Sequence, residues 1–245
     1  NGWYRTEERT STLVLLGADG QIRWTYDLAY LAGRPSFARV GEETLILAPA
    51  GNPYVISRGA LVVLDPTKTP ENGGVLLRHE TFYPVSHATV IERDGGVKIA
   101  YAGIDGNVRT IDWPNREDGW EVHWMRWAWK SIAFETEDQH FVAVGEDFGK
   151  LSLYDASGTR RWHRALADGR AWEITALAHG HLGGEMRIVT SSIVILGEEI
   201  SLLETYSMQG QRRYAFNLDK VVLALHVDDL DGDGSSEILY VSVDD

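Results

Sequence analysis

The 245-residue chain has no cysteine, and its 23 lysines and arginines are outnumbered by 36 aspartates and glutamates. Without cysteine there is no disulfide, no thiolate metal ligand and no cysteine nucleophile. The lack assigns no compartment, because it suits oxidising and reducing surroundings equally. The formal charge of −13 argues against a nucleic-acid binder, which needs a basic patch or stripe to track phosphates, and against an anionic membrane surface. No apolar run reaches the roughly 18 residues of a membrane-spanning helix, so no membrane insertion is expected. Fingerprints of the G-x-S-x-G, H-E-x-x-H, P-loop and dinucleotide kinds are missing. The opening Asn1-Gly2-Trp3, with no initiator methionine or signal peptide, reads as a processed or excised segment, a domain of a larger protein.

What is present is repetition. An apolar strand, a polar turn and a strand carrying arginine and an aromatic recur five times, most clearly at Leu13–Tyr26, Leu151–Ala165 and Ser201–Phe216. The turn positions Gly17, Asp65, Asp112, Asp155 and Ser207 lie 43 to 52 residues apart. A second kind of hairpin alternates with the first. Period-2 patterning, β-branched residues and Gly/Asp turns identify strands in both, and no segment shows a capped helical stripe.

Two hairpins per repeat make the four strands, a to d, of one β-propeller blade. The a–b pairs fall at 36–48, 86–102, 131–145, 173–191 and 221–243, and the c–d pairs at 12–28, 60–81, 107–127, 150–167 and 200–218. The chain therefore starts with a c–d hairpin and finishes with an a–b hairpin. Paired, they complete a fifth blade and remove two exposed edges. The expectation is an all-β, five-bladed propeller over 1–245, closed by that pairing. The alternative is part of a larger propeller with open half-blades.

The run from Leu153 through Asp155-Ala156-Ser157-Gly158 to Trp162 resembles the PQQ-like β-propeller repeat. Leu225–Val243 is similar to the FG-GAP (VCBS) repeat, which carries a calcium loop between strands a and b. The quinone-dependent dehydrogenases of the first group need a larger ring than this chain can make, so no quinone is carried over. The resemblance implies that the strand-d aromatics Trp24, Trp124, Trp162 and Tyr214 pack between blades. Leu77 stands near the equivalent place in the second copy, which marks that interface as looser.

The family pattern also implies one structural Ca2+ held by Asp229, Asp231, Asp233 and Glu237 with the Ser235 carbonyl. Calcium takes six to eight oxygen ligands, and four carboxylates within nine residues repel one another without a cation. An EF-hand would need glutamate where Tyr240 stands. His179 and His181 lack a third ligand for zinc.

In propellers the d–a and b–c connections share one face around the channel. The d–a connections bring Arg34, Tyr83, Trp127, Trp129, Lys130, Arg170, Trp172 and Lys220 to that rim. Indoles stack on sugar faces or cations, and arginine grips carboxylates; filling gaps between blades is the competing role. A glycosidase needs two facing carboxylates, and Glu173 alone sits near a strand start. His87 reads as a packed histidine. The sequence thus describes a non-catalytic recognition module that binds protein, with a lectin-like glycan binder as the alternative and a degenerate five-bladed glycosidase third. Calcium points to an extracytoplasmic setting.

Overall fold

The computed structural model describes residues 10–30, 32–33, 35–51, 58–93, 96–122, 128–136, 139–146, 148–195 and 199–243. The first hairpin is β1 (Ser11–Leu16) with β2 (Ile22–Leu28). Four antiparallel four-stranded sheets follow in chain order. The first holds β3 (Ser36–Val40), β4 (Glu43–Gly51), β5 (Gly59–Leu64) and β6 (Val75–Thr81); the second β7 (Val85–Arg93), β8 (Gly96–Gly103), β9 (Val108–Trp113) and β10 (Glu117–Val122). The third holds β11 (Ala128–Glu135), β12 (His140–Glu146), β13 (Lys150–Asp155) and β14 (Arg160–Ala165); the fourth β15 (Ala171–Leu182), β16 (Glu185–Ile195), β17 (Glu199–Ser207) and β18 (Arg212–Leu218). A last hairpin, β19 (Val221–Asp228) with β20 (Glu237–Val243), ends the chain.

In every four-stranded sheet the spatial order equals the chain order, so each is a blade built from two successive hairpins. The first strands pack side by side: β7 meets β11, β11 meets β15, and β15 meets β19. The middle strands explain a feature of the sequence. β4, from Leu45 onward, and all of β5 are buried residue after residue, because a blade interior is covered on both faces. A strand in that position reads as a continuous apolar run instead of an alternating one.

One contact joins successive blades. The Trp162 indole N–H on β14 donates to the Met208 carbonyl in the β17–β18 turn at 2.8 Å, and Trp120 on β10 donates to Ala156 in the β13–β14 turn at 3.0 Å. Trp24 on β2 reaches Pro66 at 3.4 Å. The ring lies on a turn glycine: a Cβ on Gly210 would stand 2.9 Å from Trp162, and one on Gly158 3.0 Å from Trp120. Both glycines have φ near +80°, at 75° and 81°, which side chains resist. The turn needs glycine for its backbone, and the bare glycine then seats the indole.

The turn itself is set by the aspartate of the repeat. Asp155 Oδ1 accepts from the N–H groups of Ser157 and Thr159 at 2.9 and 3.0 Å and from the Ser157 hydroxyl. Burial pushes that carboxyl's pKa up, but these donors outweigh it and hold it below the usual aspartate value. Ser207 plays the same part in the fourth blade, its hydroxyl accepting from the N–H groups of Gln209 and Gln211.

Two interfaces lack the indole. Leu77 faces Val63 in the register that Trp162 holds against Leu153. Cavities of about 760 Å³ beside Leu76 and about 350 Å³ beside His79 open along that seam, so the second interface is the looser one. Tyr214 holds the same register against Thr205 yet is 53% exposed. At the other end Gly20, with φ of 76°, has no side chain over it among the described residues. The pairing of β20 with β1 is not seen: the two hairpins stand as separate two-stranded sheets. Val14 and Leu16 on β1, and Leu239 and Val241 on β20, are exposed.

Candidate functional site

The connections after each blade gather on one face with those inside it. Gly33 N–H donates to Pro49 at 2.7 Å, Ile104 to Pro84 at 3.0 Å, and Leu166 to Gly149 at 2.7 Å. The last two bonds tie a d–a connection to a b–c connection, and the first ties one to the end of β4. Between the starts of β7, β11, β15 and β19 lies an axial cavity of about 400 Å³. Its polar lining is Ser86, His87, Lys130, Ser131, Glu173 and Thr175, and Glu173 is the one carboxylate among the lining residues.

An exposed aromatic pair borders Glu173 in sequence. The Trp172 ring, 54% exposed, meets Phe148 edge-on at 5.2 Å. The connection before it is held in an uncommon shape: Ala167 and Asp168 have φ of 51° and 53°, which costs about 1–3 kcal/mol per residue unless the surroundings fix it. The fixing group is the buried Glu204 carboxylate on β17. It accepts the Ala167 N–H at 2.9 Å and the Arg212 guanidinium at 3.0 Å. Arg212 also reaches Asp168 at 3.2 Å, and Arg170 Nε donates to the Ala167 carbonyl at 3.1 Å.

The predicted rim is thus divided. Arg170 and Trp172 stand together, Lys130 lines the axial cavity, and Lys220 is exposed in the β18–β19 connection. Tyr83 is elsewhere, in the cleft between the first two blades. Arg34, Trp127 and the side chain of Trp129 lie outside the described residues, as does Trp124. Among the described residues of the second blade, the aromatic that reaches the next blade is Trp120. Phe148 belongs to a b–c connection, between β12 and β13, and so lies outside the d–a set although the two kinds of connection share the face.

The loop between β19 and β20 brings three of its five expected ligands together. Single oxygens of Asp229, Asp231 and Glu237 lie within 4.8 Å of one another, which is the span of opposite ligands on a cation bound at about 2.3–2.6 Å. Gly232 and Gly234, with φ of 78° and 90°, turn their N–H groups onto the two Asp229 oxygens at 2.8 and 2.9 Å. Leu230 N–H donates to Glu237 Oε2 at 2.9 Å, drawing the far end of the loop back. Asp233 is not in this trio; its carboxylate accepts the Ser235 N–H. The donors are hard oxygens, exposed on the two aspartates and half-buried on Glu237, that fit calcium or magnesium and not a soft metal.

His179 stacks on Phe134 at 4.8 Å. Burial first, then His181 and His226, hold its pKa below the ordinary value, so it stays a neutral ring of the packing.

No family model matches the chain, and no curated protein matches it. Solved structures do. One is BBS1N crystallised in complex with ARL6DN, at 14% identity and a TM-score of 0.69, over 96% of this chain and 70% of that one. The Saccharomyces cerevisiae Sqt1 structure is 10% identical with a TM-score of 0.64, over 96% of this chain and 64% of that one. The Dos1 propeller is 16% identical with a TM-score of 0.56, over 87% and 53%. At such identity the likeness shows the fold alone, and together with the blades it defines the class: a β-propeller. Among the described residues no helix is long and apolar enough to cross a membrane.

Proposed function

We propose that this propeller is a non-catalytic recognition module that binds a protein partner on the face where its connections meet. The observation that carries the reading is the exposed Phe148–Trp172 pair, with Trp172 at the start of β15 directly after the connection that Glu204 pins and next to Glu173 of the axial cavity. Exposed aromatic and arginine anchors on a rigid support are what binding surfaces concentrate. BBS1N, of the same fold, was solved with a protein partner. The exposed indole also supports the second reading, a glycan binder. A pull-down from source cells alongside a glycan array, each repeated with Trp172→Ala and Arg170→Ala, tests both. A partner held by the wild type and lost from both variants is expected; retention by both would remove this face as the site.

Two finer readings belong to the same proposal. The FG-GAP-like loop holds one structural calcium through Asp229, Asp231 and Glu237, with Asp233 and the Ser235 carbonyl drawn in on binding. The ion adds no chemistry beyond cancelling carboxylate repulsion, and it suits an extracytoplasmic setting, where calcium fills weak sites. The ring closes as five blades by pairing β20 with β1. Support comes from the vacant seat at Gly20 and the unseated Tyr214.

A further inference from the structure

The seam between the first two blades carries a second surface. Where the seams at Trp24, Trp120 and Trp162 seat an indole, this one has Leu77, and a cleft of about 350 Å³ remains open between β6 and the second blade. Its floor is fixed. The Tyr101 hydroxyl meets His79 Nε2 at 3.0 Å, and the Trp120 ring is anchored from behind by its bond to Ala156. At the mouth stands Phe82, 79% exposed, with Tyr83 edge-on at 5.2 Å. What sets Phe82 apart from the other exposed apolar side chains is its place at the mouth of a cleft, where its ring face is open to stacking.

The charges around it have one sign in excess. Arg109 is spent between Asp105 at 2.6 Å and Glu121 at 2.7 Å. Glu80 pairs with Arg78 at 2.6 Å. Asp118 on β10 lines the cleft and pairs with no cation among the described residues. Two carboxylates around one guanidinium, plus Asp118, leave the cleft negative beside aromatic faces. That combination attracts a cation by Coulomb and cation–π terms together, and guanidinium does both best.

We propose that this cleft takes an arginine or lysine side chain presented by an extended segment of a partner protein, with Phe82 stacked against it. The proposal rests on the reading of the chain as a recognition module but uses a seam separate from the Trp172 face.

The test is fluorescence anisotropy at physiological salt with a labelled octapeptide of alternating arginine and glycine; the citrulline and glutamate versions serve as controls. The full chain is expected to bind the arginine peptide and neither control. Phe82→Ala should weaken binding about tenfold and Asp118→Asn severalfold, while Asp219→Asn in the β18–β19 connection and Trp172→Ala leave it unchanged. Both test positions are exposed surface sites, and unaltered melting curves for the two variants check that folding is intact. No binding by the wild type, or equal loss with Asp219→Asn, overturns the proposal. Loss with Trp172→Ala instead overturns this cleft while keeping the recognition reading.

Discussion

A single indole shows how this fold holds its blades together. Trp162 is 8% exposed; its ring covers Gly210 and its N–H satisfies the Met208 carbonyl. Trp162→Phe keeps most of the apolar contact and removes the hydrogen bond, a loss of about 1 kcal/mol plus the desolvation of an unpaired carbonyl. Trp162→Ala leaves a cavity as well, and about 3–5 kcal/mol is the usual cost of truncating a buried aromatic. Gly210→Ala combines an unfavourable φ with a contact at 2.9 Å against the ring. Urea denaturation should rank stability as wild type, Trp162→Phe, Trp162→Ala, with Gly210→Ala also below wild type. If Trp162→Ala matches wild type, the ring is ornamental and the blades are held by their aliphatic faces alone.

Among elements, the β19–β20 hairpin is the one whose stability hangs on its turn. Asp229, Asp231 and Glu237 crowd within 4.8 Å, and although β19 is packed through Val222 and Leu225, the outer face of β20 is exposed, so the repulsion falls on the less supported strand. A cation bound at a hundredfold excess over its dissociation constant adds about 2.7 kcal/mol, which in a domain of this size is about 5–10 °C in Tm. Chelation should lower Tm by that amount, and Asp231→Ala should abolish the difference; identical melts with and without chelator would remove the metal from the account. This loop was legible in sequence because acids and glycines at fixed spacing dictate local geometry. The hairpin pattern was legible for a similar reason, since Asp155 and Gly158 determine their turn from within it. The inter-blade aromatic of the second blade was not. Trp120 and Trp124 lie four residues apart, and β10 slips register against β9 between Asp118 and Glu121, so periodicity could not choose between them. Leu77 in place of an indole was legible as the mark of a looser seam, but the cleft at Phe82, which gathers residues of β6, β8, β9 and β10, is a tertiary juxtaposition that neither hydropathy nor spacing displays.

At the scale of the whole molecule the open question is what the two ends do. The N-terminal hairpin has a turn built like its counterparts: Gly17 N–H donates to Gln21 and Gly20 N–H to Gly17, as Asp155 and Gly158 do with Thr159 and Asp155. It therefore offers a seat for an aromatic of the preceding blade. Tyr214, stacked on Phe216 and with Arg187 over its ring at 5.1 Å, offers an aromatic with no turn glycine against it among the described residues. If the ring closes, the two fit each other and β1 pairs with β20, which hides two apolar edges that would otherwise recruit other chains. The absence of native cysteine makes the matter easy to decide. A chain carrying Ala18→Cys and Arg213→Cys has two thiols, and a short bismaleimide at high dilution can join them only where the turn sits on the Tyr214 face. A fast-migrating, internally linked monomer is the expected product. A linked dimer would mean that the ends meet head to tail between copies, a heterologous contact that propagates unless its rotation closes. Singly capped monomers alone would mean that the arc stays open, and that the Tyr214 face and the Gly20 seat are free to take blades from elsewhere.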